Sequence, residues 1–181
     1  MTAAALEPAK VDGPALRYYR ALAGEWRGRF SFELTDRAAL QRAPPAVRLR
    51  LGGFGLAQRW SGPDWMSTTL TESVDGGAFL HTTRVHRLGV TLFASNEWFA
   101  PGADGRTFRV TGTQRPWPSL GAGAPYDGDG EVAADASGAV YRLPFLGAAL
   151  VQRTTLVPEG LLLTQETRWS RARVLLVRRA P

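Results

Sequence analysis

The sequence has 181 residues, a net charge of +6 and no cysteine, and 44% of its residues are hydrophobic. This length is typical of one domain, and the hydrophobic fraction is sufficient for a packed core. The absence of cysteine excludes disulfide bonds, thiolate nucleophiles and zinc sites with cysteine ligands. Lys10 is the only lysine, so nearly all of the positive charge comes from arginine.

The sequence contains no run of about 18 apolar residues, the length that a transmembrane helix needs. Its first residues, MTAAALEPAKVDGP, lack the basic segment and apolar run of a signal peptide. We therefore expect a soluble, cytoplasmic protein. We expect residues 1–13 to form a flexible tail and residues 14–181 to form a single domain.

A short helix is predicted after Pro14, in the segment ALRYYRALA, and Gly24 ends it. From Trp26 to Leu34 the period changes to two, because apolar residues or glycine alternate strictly with polar residues. That alternation is typical of a strand with one buried face. VRLRL at 47–51 alternates in the same way and predicts another strand, with TDRAALQRAPPA as a polar connection before it.

Further strand-like segments follow, separated by turn signals such as VDGG, PGADG, DASG and PEG. These segments are FGLAQRW, WMSTTLTESV, AFLHTTRVHRL, VTLFASNEWF, RTFRVTG, AVYRL, LVQRTTLV, LLLTQETRW and RVLLVRR. No second helical pattern is evident. The sequence therefore predicts an all-β antiparallel meander that closes into a barrel of about eight to ten strands.

The segment at 115–130, RPWPSLGAGAPYDGDG, is rich in glycine and proline and is predicted to be a long irregular loop. Such a loop is either a lid over a binding site or a disordered connection. Within it, YDGDGE spaces its carboxylates like a calcium loop but lacks the required glycine and bidentate glutamate. We interpret YDGDGE as a solvated turn.

Gly24, Glu25 and Trp26 follow LRYYRAL and open the first strand. A short helix, a Gly-x-Trp motif and an antiparallel meander together resemble the lipocalins and the wider calycin group, which includes fatty-acid-binding proteins and nitrobindin-like barrels. The resemblance implies that Trp26 plugs the closed end of the barrel. It also implies that an arginine from the last strand region, Arg171 or Arg173, packs across the tryptophan, and of the two we choose Arg173.

The sequence also departs from these families. Nitrobindin-like barrels bind haem through a histidine near the C-terminus, whereas this sequence has no histidine after His86. We therefore expect no haem and no other cofactor. Lipocalins proper are mostly secreted and carry disulfides, so the absence of cysteine favours an intracellular relative.

His81 and His86 lie five residues apart, so on a regular strand they face opposite sides and cannot share a metal ion. We expect no metal site. Phe79, Thr83 and Val85 share the face of His81, which is therefore predicted to point into the barrel. There it either binds a ligand or forms a hydrogen-bonded part of the core.

Polar side chains that interrupt apolar strands need partners inside a barrel, and a ligand is one such partner. The polar residues predicted to bind the ligand are Gln58, Thr69, His81, Asn96, Gln152 and Gln165. The flat apolar walls of the same site are predicted to come from Trp60, Trp98 and Tyr141.

Three classes of function fit these observations. The preferred class is a calycin-like barrel that binds a small apolar or amphipathic molecule, such as a fatty acid, polyketide or pigment. The alternative is an isomerase, cyclase or hydrolase that uses the same cavity, with His81 as acid or base and an arginine stabilising an anion. A surface that binds nucleic acid or anionic membrane comes last, since the arginines are not interleaved with aromatic residues, and we expect no nucleic-acid partner. The sequence does not indicate an oligomeric state.

Overall fold

The computed structural model describes residues 13–61, 63–73, 77–116 and 123–179. The helices in this part of the chain are α1 (Pro14–Leu22), α2 (Arg37–Gln41) and α3 (Pro45–Ser61). The strands are β1 (Gly24–Leu34), β2 (Asp64–Glu72), β3 (Phe79–Arg87), β4 (Val90–Pro101), β5 (Thr107–Pro116), β6 (Ala124–Val132), β7 (Gly138–Phe145), β8 (Ala148–Val157), β9 (Gly160–Glu166) and β10 (Ser170–Arg178). None of the described helices is long and apolar enough to cross a membrane.

The strands form one closed antiparallel barrel in which each strand pairs with its neighbours in the chain. The first strand closes the sheet because it pairs on both sides: Trp26 lies opposite Thr68 of β2 and opposite Arg178 of β10. The predicted all-β antiparallel barrel with a short N-terminal helix is therefore confirmed. Apart from Gly13, the predicted tail at 1–13 lies outside the described residues.

Helix α1 covers one end of the barrel. Tyr18 and Tyr19 are completely or almost completely buried. The ring of Tyr19 lies 5.0 to 5.4 Å from the rings of Phe79, Phe99 and Phe108, which come from three different strands. Aromatic rings at these separations pack favourably beyond the burial of their area. We call this the closed end.

Helices α2 and α3 connect β1 to β2 and cover the opposite end, which we call the mouth. The side chain of Asp36 caps α2 by accepting a hydrogen bond from the amide of Ala39 at 2.8 Å. Val47 and Leu51 of α3 are buried in a separate hydrophobic cluster with Trp169, which lies between β9 and β10. The helices are thus held to the barrel by a small core of their own.

The prediction of strands at VRLRL and FGLAQRW is wrong, because both segments belong to α3. Val47 and Leu51 fit a strand period and a helix period equally well, since they are four residues apart. Leu49 distinguishes the two periods: a strand would bury it, whereas in the structure its side chain is 73% exposed. The segment predicted as a polar connection likewise contains α2.

The prediction of an irregular loop at 115–130 is also wrong where the structure describes it. Residues 115–116 end β5 and residues 124–130 belong to β6, while residues 117–122 lie outside the described residues. The glycines of YDGDGE serve packing inside the barrel: a Cβ on Gly130 would lie 2.1 Å from Cζ of Phe108. Asp127 and Asp129 face outward and pair with arginines of the neighbouring strands.

Candidate functional site

A cavity of about 120 Å³ lies inside the barrel beneath α3. On this scale about 10 to 15 Å³ holds one water molecule, so the space exceeds what a few ordered waters fill. Its wall near the mouth is aromatic and aliphatic, formed by Phe30, Phe54, Phe93, Phe145 and Leu150 among others. Such walls bind apolar groups by removing their surface from water.

A chain of hydrogen-bonded polar side chains lies deeper in the barrel. His81 Nδ1 lies 2.7 Å from Glu97 Oε2, and His81 Nε2 makes a hydrogen bond with the hydroxyl of Thr68. The hydroxyl of Tyr126 donates to Glu97 Oε1. Both oxygens of the carboxylate therefore have partners, as a buried charge requires.

The protonation states of Glu97 and Tyr126 follow from their surroundings. Burial alone raises the pKa of Glu97, but His81, followed by Tyr126 and the nearby Ser95 hydroxyl, lowers that pKa below its ordinary value of 4.5. The pKa of Tyr126 is raised well above 10.0, first by burial and then by the charge of Glu97. The pair therefore consists of a carboxylate and a neutral phenol at neutral pH.

Two further polar groups line the same cavity. Gln165 donates through Nε2 to Gln152 Oε1 at 2.6 Å, so the two amides form a pair across β8 and β9. Ser95 is only 3% exposed, and its hydroxyl lies near enough to Glu97 to lower the pKa of that carboxyl but has no partner at hydrogen-bond geometry among the described residues. The floor of the cavity thus contains a buried hydroxyl whose oxygen has unused acceptor capacity.

A smaller cavity of about 30 Å³ lies between this polar layer and the closed end. His81 and Gln152 line both cavities, so they mark the boundary between them. Trp26 and Tyr141 line only the smaller one among the cavities described.

The predicted site residues fall into several groups. His81, Gln152 and Gln165 line the main cavity, and Tyr141 lies below it. Trp60 belongs to α3, and its side chain lies outside what the structure describes.

Thr69, Asn96 and Trp98 are exposed on the outer face of the barrel and do not line the cavity, which corrects their prediction as ligand contacts. Their neighbours in the alternation, Thr68 and Glu97, point inward instead. A shift of one residue along a strand exchanges the two faces.

Gln58 holds α3 to the barrel, which corrects its prediction as a ligand contact. Its amide accepts from the Phe32 amide at 2.8 Å and donates to the Phe30 carbonyl at 2.9 Å and to Asp64 at 2.7 Å. Asp64 is almost fully buried and pairs with Arg87, whose Nε lies 2.6 Å from Oδ1. Gln58 thus makes the backbone hydrogen bonds that a neighbouring strand would otherwise make to β1, at the point where β1 extends past β2.

The plug of the closed end is Trp26, but the arginine that packs on it differs from the prediction. The indole Nε1 donates to the Leu22 carbonyl at 2.8 Å, and the guanidinium of Arg178 lies 4.8 Å from the centre of the ring system. Arg171 and Arg173 face outward on β10, further from the closed end. The choice of Arg173 is therefore corrected to Arg178.

Glu97, Tyr126 and Ser95 were not among the predicted site residues. Ser95 and Glu97 alternate with Phe93 and Phe99, and that alternation is a sequence signal for an acid on an inward face. Tyr126 alternates with glycines that accompany it on the inner face of β6. Tyr126 was missed in the sequence because the aspartates and glycines that follow it are typical of turns.

Solved structures similar to this chain share its architecture. The REP1-NXSQ fatty acid transporter matches with a TM-score of 0.50 and 10% identity, over 90% of this chain and 98% of its own. A fatty acid binding protein of Schistosoma mansoni in complex with arachidonic acid has a TM-score of 0.48 and 13% identity, over 92% of this chain and 99% of its own. No protein-family model and no curated protein matches this chain.

The histidine that lines the cavity has partners at both ring nitrogens. This histidine is His81, and the partners are Glu97 and Thr68. Within the described residues, no cluster of three or more His, Cys, Asp or Glu side chains is placed to hold a metal ion.

Proposed function

We propose that this protein binds a small apolar or amphipathic molecule inside its barrel. The observation that carries the proposal is the cavity beneath α3, whose walls are aromatic and whose floor is polar. An apolar body would contact the walls, and a polar end would reach the floor, which is the usual division of roles in a ligand pocket. The structural neighbour that is named a fatty acid transporter agrees with such a role.

The proposal includes a cytoplasmic location and no cofactor. A chain without disulfides is the ordinary case in a reducing compartment. The engaged nitrogens of His81 support the absence of haem as a partner. Cell fractionation and a haem titration followed by absorbance test these two parts, and a secreted protein or a haem-type spectrum would contradict them.

Filling the cavity tests the main proposal. Ala172 is buried and lines the cavity, so Ala172→Phe places a ring where the ligand would lie. Ala149 is exposed on the outer face of β8, and Ala149→Phe is the matched control. Native mass spectrometry of each purified protein, before and after incubation with an apolar fluorescent probe, reports occupancy.

We expect the unmodified protein and Ala149→Phe to carry the probe, and Ala172→Phe to lose at least about 90% of it, because overlap of the added ring with the ligand is sterically excluded. Circular dichroism checks that Ala172→Phe keeps its strands. Equal occupancy in all three proteins would place the probe outside the barrel and contradict the proposal.

One arrangement favours a second candidate, an enzyme whose reacting groups lie at the boundary of the two cavities, where Thr68 lines the smaller one and His81 lines both. Thr68, His81 and Glu97 follow one another as hydroxyl, imidazole and carboxylate, the order in which a base activates a nucleophile. Thr68→Val removes the hydroxyl and keeps the shape. For a hydrolase, turnover of an aryl ester would fall about a hundredfold or more with little change in affinity. Turnover that does not respond to Thr68→Val would contradict this candidate.

A further inference from the structure

The charges inside the cavity restrict the polar end of a ligand. Glu97 is 7% exposed, and the neighbours that lower its pKa keep it ionised. Among the described lining residues, the basic side chains are His81, already hydrogen-bonded to Glu97, and Arg50 of α3. The deep part of the cavity therefore contains a carboxylate and no unpaired cation from the described residues.

Arg50 lies at the other end of the cavity. It belongs to the helix that covers the mouth, is partly exposed, and has no acidic partner within 4.0 Å among the described residues. Ser95 and Glu97, in contrast, belong to the interior of β4, and His81 borders the smaller cavity beyond them. A carboxylate held by Arg50 would leave the polar floor without a partner.

The floor itself offers neutral hydrogen-bonding groups. Ser95 is buried, lines the cavity beside Glu97, and has a hydroxyl oxygen that accepts no hydrogen bond from the described residues. A buried polar group without a partner is costly, so a ligand atom that bonds to it recovers free energy. The amide pair of Gln152 and Gln165 lies in the same lining and is also uncharged.

We propose that the cavity selects an apolar molecule whose polar end is a hydrogen-bond donor without negative charge, such as an alcohol or primary amide, and that the Ser95 oxygen accepts from this end while Glu97 disfavours a carboxylate. The inference rests on the proposed function, since it names the class of ligand for the same cavity. It depends on the unused acceptor of the Ser95 hydroxyl and on the anion beside it.

Four probes of equal chain length test the selection on the full chain at about neutral pH: dodecan-1-ol, dodecanamide, dodecanoic acid and dodecylamine. Affinities come from displacement of a fluorescent probe and from calorimetry. We expect the alcohol, the amide and the amine each to bind at least about tenfold more tightly than the acid, because two like charges repel strongly at low dielectric. Binding of the acid as tight as that of the alcohol, or weaker binding of the amine than of the acid, would overturn the inference.

Two variants test which side chains cause the difference in affinity between the acid and the alcohol. Glu97→Gln keeps the shape and removes the charge, so the ratio of acid affinity to alcohol affinity should rise at least about tenfold. Ser95→Ala should weaken the alcohol by about three- to tenfold, the value of one neutral hydrogen bond, while leaving the affinity for dodecane unchanged. Ser67→Ala, on the outer face of β2, is the control and should change neither.

The outcomes separate this inference from the proposed function. If the acid binds best and Arg50→Gln abolishes that preference, the cavity binds ligand but the polar end lies at the mouth, and the inference is wrong. An unchanged ratio in Glu97→Gln would contradict it in the same way. Failure of all four probes and of dodecane to bind would contradict the proposed function itself.

Discussion

At the scale of single residues, Trp26 is the side chain with the clearest structural role. It is 7% exposed, its indole nitrogen has a partner in Leu22, and it lines the small cavity at the closed end. Trp26→Ala should therefore lower the free energy of unfolding by about 3 to 5 kcal/mol, the usual cost of losing a large aromatic side chain from a core. Urea denaturation followed by circular dichroism measures this loss.

Trp98 provides the matched control, since it lies on a strand of the same barrel but is 47% exposed. We expect Trp98→Ala to lower the free energy of unfolding by less than about 1 kcal/mol. Similar losses in the two variants, or a loss under about 1 kcal/mol for Trp26→Ala, would show that Trp26 does not seal the closed end.

Single residues were predictable from the sequence only where a neighbour fixed the face of the strand. His81 was placed inside correctly because Phe79 and Val85 share its face and are buried. On β4 the prediction chose Asn96 and Trp98, although the buried Phe99 marks the opposite face as the inner one. The surroundings of Ser95 and Glu97 could not be predicted, because they are formed by residues of other strands that a local sequence pattern does not reveal.

At the scale of elements, helix α3 over the mouth depends on contacts with the barrel for its stability. Gly52, Gly53 and Gly55 lie inside α3, and each costs a helix about 1 kcal/mol relative to alanine. Its stability must then come from contacts with the barrel. The most specific of these is the amide of Gln58, which bonds to both neighbours of Ser31 on β1.

Gln58→Ala should release α3 locally without unfolding the barrel. The amide of Phe32 and the carboxylate of Asp64 would each lose a partner, and a loss of that kind costs about 1 to 3 kcal/mol. Hydrogen exchange measured by mass spectrometry should become about 5- to 100-fold faster in α3 and in the β1 peptide that contains Phe32, with the other strands unchanged. Faster release of a bound probe should accompany it.

Gln41→Ala is the control for this prediction, because Gln41 belongs to the short helix α2 and its side chain is exposed. Exchange in α3 should match that of the unmodified protein. If Gln58→Ala also leaves exchange in α3 unchanged, the helix is held by its hydrophobic cluster and not by the amide.

The elements also show where sequence patterns are ambiguous. Strand β1 was recognised because its sequence alternates strictly and one of its faces is buried. Helix α3 was not recognised because its buried positions coincide in part with an alternating pattern. Strand β6 was not recognised because its inner face uses glycine to make room for Phe108, and glycine normally indicates a turn.

At the scale of the whole molecule, the four tyrosines connect the closed end, the polar floor and α1. Tyr18 and Tyr19 belong to the helix, Tyr126 to β6 and Tyr141 to β7. The pKa of each phenol is raised above 10.0, with burial as the largest cause in every case. Folding therefore favours the neutral form of each tyrosine of the chain.

This common shift predicts alkaline unfolding in one step. Because each folded-state pKa lies above the unfolded value, the stability that these phenols contribute is complete below about pH 10 and is lost as the pH rises beyond it. Near-ultraviolet absorbance should show no phenol ionising around its ordinary value of 10.0 while circular dichroism reports a folded barrel. All tyrosinate should then appear together with the loss of strand signal, and in Tyr126→Phe the step should contain one phenol fewer. A phenol that ionises near its ordinary value in the folded protein would show that this part of the barrel is open to water.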